Sequence, residues 1–211
     1  AYLGDVVRMY SEKVVNGGQT YDHKYGCSGI DGMSMGPQFG HTNGKNFLNV
    51  ALGVYGDLQR TDNDYQVLLQ YDPETLYKTA LPLQAGHFHH SGPKKAKNTF
   101  FVFTGNTTWG VQNLEYDSFT HYWFTAVYTG KKPQYPNYPL FTIDGTKCPV
   151  KETLKGFAPA QRGAVLSLAD AGLNDASTGI RGWNFEWGST GMASLGNGYF
   201  YISHNGRNAQ N

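Results

Sequence analysis

Three Gly-x-polar tripeptides, Gly29-Ile30-Asp31, Gly110-Val111-Gln112 and Gly182-Trp183-Asn184, set Asp31, Gln112 and Asn184 at one repeat position, with Met33, Leu114 and Glu186 two residues on. Residues two apart on a strand share a face, so Asn184 and Glu186 point the same way. Asp31 and Glu186 are the carboxyls of this set. Two carboxyls whose surroundings drive their pKa values apart can serve as a general base and a general acid. Trp109, Trp183, Arg181, His204 and His23 stand near the same tripeptides or on loops that would reach them. Such a set suits a polyol: an aromatic face takes the apolar C–H surface while amides and carboxylates bond the hydroxyls. His23 and His204 with Tyr25 and Arg60 or Arg207 would instead suit proton abstraction beside a uronate carboxylate.

Each of these residues also has a plainer reading. Asp31 lies among turn formers and could cap a turn. Glu186 could pair with Arg181 or Arg162 as a buried ion pair, and the tryptophans could be packing. His87-Phe88-His89-His90 has the alternation of a strand-borne metal pair, with solvated loop histidines as the competing reading. Asp57, Asp62, Asn63 and Asp64 crowd one loop with oxygen ligands that would suit calcium, the one weakly supported cofactor; turn-forming acids are the simpler account.

Strands must position these groups. An aromatic, β-branched run ending in glycine follows each tripeptide, at residues 47–56, 122–130 and 198–206, and two further runs end in aspartate, at 65–72 and 139–144. Runs 99–104 and 163–168 complete a four-strand pattern. The repeat divides the chain into units of 29–104, 110–168 and 182–211, and such units stack because none buries its apolar faces alone. Residues Asp5 to Val15 read as a preceding strand, although Val7, Tyr10 and Val14 also fit a helical stripe.

Four-stranded antiparallel units in series resemble the blades of a β-propeller, and the resemblance spans nearly the whole chain, although it holds neither the Gly-His…Trp-Asp pair nor the Ser-x-Asp-x-Gly-x-x-Thr-Trp box of known repeats. It implies an all-β fold in which the tripeptide loops meet around a central channel. Propellers need four to eight blades to close, so the resemblance also implies a second protein chain, or self-association, that completes the ring. A carboxylate on one blade and a glutamate on another are similar to the arrangement in propeller glycoside hydrolases. By that likeness Asp31 is the base, Glu186 the acid, and Gln112, Asn184, Trp109, Trp183, Arg181, His204 and His23 bind substrate; Gln112 stands where those enzymes carry a middle aspartate. The expected function is hydrolysis or elimination at a glycosidic linkage. The alternative is a non-catalytic module that binds carbohydrate or protein.

Bulk properties agree with many short strands joined by tight turns: 27 Gly, 15 Tyr, 12 Phe and 4 Trp, with few charged residues. A formal net charge of +1 offers nothing for nucleic acid or an anionic membrane, and no apolar run reaches membrane-spanning length. Tyrosine, tryptophan and glycine usage favours an extracellular or periplasmic setting. Cys27 and Cys148 read as two buried free thiols, with a disulfide as the other outcome. A chain starting at Ala1 reads as a processed form or a fragment.

Overall fold

A computed structural model describes residues 1–25, 30–185 and 187–203, with Asp31 placed by its backbone alone. The expectations for the Asp31 side chain, Glu186, His204, Arg207 and Cys27 lie outside the described residues. The chain runs α1 (Gly4–Ser11), β1 (Val14–Asn16), β2 (Gln19–Tyr21), β3 (Ile30–Pro37), β4 (Asn46–Leu52), β5 (Tyr65–Tyr71), α2 (Pro73–Thr79), β6 (Asn98–Phe103) and β7 (Thr107–Asp117). It continues through β8 (Tyr122–Thr129), β9 (Leu140–Asp144), β10 (Val150–Thr153), β11 (Arg162–Leu166), β12 (Leu173–Asn174), β13 (Arg181–Gly182), a 3-10 turn (Trp187–Ser189), β14 (Met192–Ser194) and β15 (Phe200–Ile202). With two short helices among these strands, the fold is all-β.

The first unit forms as a meander, β3-β4-β5-β6, every pair antiparallel. It is not a separate four-stranded blade. β11 pairs parallel to β6 and β10 pairs antiparallel to β11, giving a six-stranded sheet. β7, β8 and β9 form a second, three-stranded sheet. The run 163–168, read as the fourth strand of the second unit, is therefore divided. Ala164–Leu166 face Phe100–Val102 of β6, while Leu168 bridges Ile143 and the Ala169 N–H reaches the Thr142 carbonyl at 2.8 Å. Without β11, β6 would present an unpaired edge, which folded chains avoid. Among the described residues there is neither a four-stranded blade nor a closed ring.

The segment read as an N-terminal strand is the helix α1, and β1 begins only at Val14. Val6 and Met9, three apart on one helical face, are buried against Val50, Leu52, Leu69 and Tyr71. The buried Asp5 carboxylate accepts the Ala96 N–H at 2.7 Å and Arg8 at 3.0 Å, so burial and hydrogen bonding both hold the turn. Asp72 caps α2 by accepting the Glu74 N–H at 3.0 Å, with Pro73 in the first turn.

Period-two alternation gives the six-stranded sheet two apolar faces. Ala51, Leu68, Phe100 and Val102 meet Val111, Leu114, Trp123, Val127, Phe141 and Ile143 of the second sheet. Val50, Leu52, Val67, Leu69 and Tyr71 face α1. On the far side of the second sheet, Ala126 and Leu140 pack on Met192, with Phe124, Phe185 and Phe200 around them. The layers are therefore helix, sheet, sheet and the β14-β15 hairpin. β3 comes close to β7 because Gly32 and Gly36 face it; a Cβ on Gly36 would lie 2.6 Å from the Trp123 ring.

A polar seam joins β3, β7 and β14. Glu115 accepts Ser34 Oγ at 3.3 Å and the Ser194 N–H at 2.9 Å, and Ser34 Oγ accepts the Tyr116 N–H at 3.2 Å. Beside it, burial alone would raise the Asp117 pKa. Hydrogen bonds from Ser194 Oγ (2.6 Å), Thr120 Oγ1 (2.7 Å) and Thr120 N–H (2.9 Å) outweigh burial and hold the carboxyl below its ordinary 3.8. A carboxyl lowered in the folded state stabilises fully above its unfolded pKa, and that stability fades as pH falls through the folded value. Ser194→Ala is expected to cost about 1.5–3 kcal/mol at neutral pH. In urea titrations the gap to the unmodified chain should shrink below about pH 4; a gap that does not change with pH would mean that Asp117 is not the partner that matters.

Candidate functional site

A hollow opens where the β4–β5 loop, the start of β7, the β8–β9 loop and the residues at the end of β2 meet. Its volume is about 580 Å³, within the range of small-molecule sites. Tyr21, Tyr55, Leu58 and Trp109 give it apolar walls, and Asp22, His23, Asp57 and Lys131 bring polar groups.

Trp109 is placed there by a bulge. In the β7–β8 ladder Thr108 faces Tyr128 and Val111 faces Val127, so Trp109 and Gly110 fall out of register. Trp109 has φ 65° and Gly110 φ 77°. A left-handed backbone is a strained conformation for a bulky residue. Gly110 permits the bulge, since a Cβ there would lie 2.6 Å from the Val54 nitrogen. Gln112 secures it by donating Nε2 to the carbonyls of Trp109 (3.2 Å) and Gly110 (3.4 Å). The outcome is an indole 42 % exposed, with the Tyr55 ring edge-on at 5.8 Å.

The remaining wall is pinned by Arg60. Its buried guanidinium grips Asp62 through Nε (2.8 Å) and Nη2 (3.1 Å) and donates to the carbonyls of His23 (3.3 Å) and Lys24 (2.8 Å). Arg60 also stacks on Tyr21 at 5.1 Å. Four of its five N–H donors are spent on the protein and the group is buried, so its part is to build the cleft. His23 Nδ1 lies 2.8 Å from the Tyr10 carbonyl. A carbonyl only accepts, so Nδ1 carries the proton, and a neutral His23 presents Nε2 as an acceptor.

A second hollow of about 500 Å³ lies at the same end of the β7–β8 hairpin, lined by Tyr128, Asn137, Asn184, Phe185 and Trp187 among others. Two of the expected binding residues, Trp109 and His23, thus share the first hollow, and Asn184 lies in the second. Gln112, expected to bind substrate, is a positioning residue for Trp109. Arg181 and Trp183 line neither hollow: Arg181 pairs with Asp170 at 2.8 Å, and Trp183 donates its N–H to the Leu140 carbonyl while its ring lies against Gly172. Tyr21, Tyr55 and Asn137 were not singled out from sequence. Tyr55 carried a usable signal, its place between Gly53 and Gly56 just past a strand.

Other sequence candidates are committed elsewhere. Tyr25 is buried, which raises its phenol pKa and makes it a poor base; Arg60 is likewise engaged, so the lyase grouping is not assembled from these two. Of the oxygens that suited calcium, those of Asp62, Asn63 and Asp64 hold cations of the chain: Asp62 grips Arg60, and Lys132 Nζ lies 2.6 Å from Asp64 Oδ1 and 2.8 Å from Asn63 Oδ1, while Asp57 accepts the Gln59 N–H at 2.8 Å. Both ring nitrogens of His89 are engaged, by the Leu81 carbonyl and the Ser91 N–H, and His90 stacks on Tyr2. Among the described residues no group of three or more His, Cys, Asp or Glu is arranged to hold a metal, and no helix is long and apolar enough to cross a membrane. Cys148 is a free thiol, exposed where a buried one was expected.

No protein-family model, curated protein or solved structure matches the chain.

Proposed function

We propose that this chain is a carbohydrate-binding protein of propeller-like build and that the Trp109 cleft is its binding site. The observation that carries the proposal is the bulge at Trp109. A bulky residue held at positive φ, propped by Gln112 and left half exposed beside Tyr55, is backbone strain maintained in order to present an aromatic face. Sugar rings stack on such faces, and Asp22, Asp57, His23 and Lys131 supply acceptors and donors for hydroxyls at the rim. Stacking of the layers, with β3, β7 and β14 meeting along the Ser34–Glu115–Ser194 seam, supports reading them as neighbouring wedges about an axis. A polysaccharide ligand goes with a periplasmic or extracellular setting.

Calorimetric titration of the chain with soluble glucan, mannan, xylan and chitin oligosaccharides tests the proposal, with Trp109→Ala as control. Binding that survives this substitution unchanged, or no binding to any of them, overturns it. Release of reducing ends in the same mixtures, stopped by Asp31→Asn or Glu186→Gln, would make the site hydrolytic; binding without release would make it a lectin-like module.

Apolar side chains are also exposed on β3, at Met33 and Met35, and on the β14-β15 hairpin, at Tyr199 and Tyr201. The proposal extends to a second copy of the chain covering these faces. Light scattering is expected to give twice the 23.3 kDa chain mass, and a monomer at high concentration would remove this part.

A further inference from the structure

The two hollows belong to one end of one hairpin. Thr108 lines the first, and its ladder partner Tyr128 lines the second; paired strands lie about 5 Å apart. The Thr108–Tyr128 pair is the ridge between them, and near it in the chain the buried Asn106 Oδ1 accepts the Lys131 N–H at 3.0 Å. Asn137, which lines the second hollow, donates its Nδ2 to the Lys132 and Tyr135 carbonyls at 3.0 Å each, while its Oδ1 has no donor among the described residues.

An unmet amide oxygen inside a protein is costly, and a ligand hydroxyl can donate to it. Asn137 has φ 52°, and apart from His121 it and Trp109 are the non-glycine residues at positive φ among the described residues. Trp187 adds a second half-exposed indole, on the far side of the ridge from Trp109.

We infer that the hollows are consecutive subsites of one groove and that the ligand is a linear oligosaccharide laid across the ridge, with one sugar on Trp109 and another on Trp187. The inference rests on the carbohydrate reading of the Trp109 cleft. Two platforms joined by one ligand act as linked sites, so affinity must rise with chain length once both are spanned.

The test is calorimetric titration of the chain with cello-, manno-, xylo- and chito-oligosaccharides, each as disaccharide and hexasaccharide. The hexasaccharide of the preferred series is expected to bind at least about tenfold tighter than its disaccharide. Trp187→Ala should bring the hexasaccharide down to the disaccharide affinity and leave the disaccharide within about twofold of its value. Tyr128→Ala, which alters the same hollow, gives the same comparison if Trp187→Ala does not fold. Equal affinity for both lengths, or a hexasaccharide that is indifferent to these substitutions, overturns the groove and leaves the carbohydrate reading standing. If no saccharide binds at either length, that reading falls and the groove falls with it.

Discussion

Lys132→Met is expected to cost about 3–5 kcal/mol of folding stability, the penalty for breaking a buried ion pair from one side. The Lys132 ammonium is buried and bonded to Asp64, Asn63 and the Arg60 carbonyl. The other Asp64 oxygen accepts the Tyr135 hydroxyl at 2.8 Å; burial and this bond raise the Tyr135 pKa well above the usual phenol range, so the proton stays on the ring oxygen. With the ammonium gone, Asp64 is a charge inside the protein answered only by neutral donors. Domains of ordinary stability hold about 5–15 kcal/mol in total, so much of the margin goes. Urea unfolding measures the loss. Lys132→Met combined with Asp64→Leu should recover more than half of it, because replacing both partners removes the stranded charge. A cost below about 1 kcal/mol for the single change would mean that the network does not hold the loop. Residues 55–58 of that loop carry Tyr55, Asp57 and Leu58, and Asn63 Nδ2 donates to the Tyr55 and Asp57 carbonyls at 2.8 Å each, so the variant should lose the cleft as well.

Trp109→Ala is expected to weaken saccharide binding by about 30-fold or more, the loss of about 2 kcal/mol or above that follows truncation of a central aromatic anchor. Trp109→Gly separates this role from packing. Glycine takes positive φ without penalty, whereas a left-handed residue with a Cβ costs about 1–2 kcal/mol. The glycine variant should therefore bind as poorly as the alanine one while melting at an equal or higher temperature. If it melts lower and binds normally, the indole is a packing residue. Isothermal titration and a thermal melt on the same sample decide between the two outcomes.

The sequence announced strands more clearly than their partners. Residues 65–71 and 122–129 alternate or run apolar with aromatic and β-branched side chains, and they form β5 and β8. Asp72-Pro73-Glu74 held a capping signal, but its seven-residue helix buries no side chain and so leaves no apolar stripe to find. The pairing of β11 with β6 was hidden because a parallel contact across residues 104–161 leaves no local mark. At the site, Trp109 and His23, both expected to bind substrate, line one hollow together with Asp57 and Arg60, while Arg181 and Trp183 lie outside it. What each does there was not legible. Lys131 and Lys132 are identical letters in a row, yet the first is exposed at the cleft and the second is buried in the network that holds it. Gln112 looked like a ligand contact because its repeat position matched Asp31, but the bulge at Trp109 turns its amide toward the main chain.

The division of residues 163–169 between two sheets has a consequence for synthesis. β6 can pair with β5 as soon as both have left the ribosome, but its other edge waits for β11, with residues 104–161 made in between. During that delay a nascent chain carries an open hydrogen-bonding edge rich in phenylalanine, at Phe100, Phe101 and Phe103, the kind of surface that recruits chaperones or neighbouring chains. Closure then joins the first sheet to β9 through Leu168 in the same step, so the two sheets mature together and cannot accumulate wedge by wedge in the manner of a solenoid.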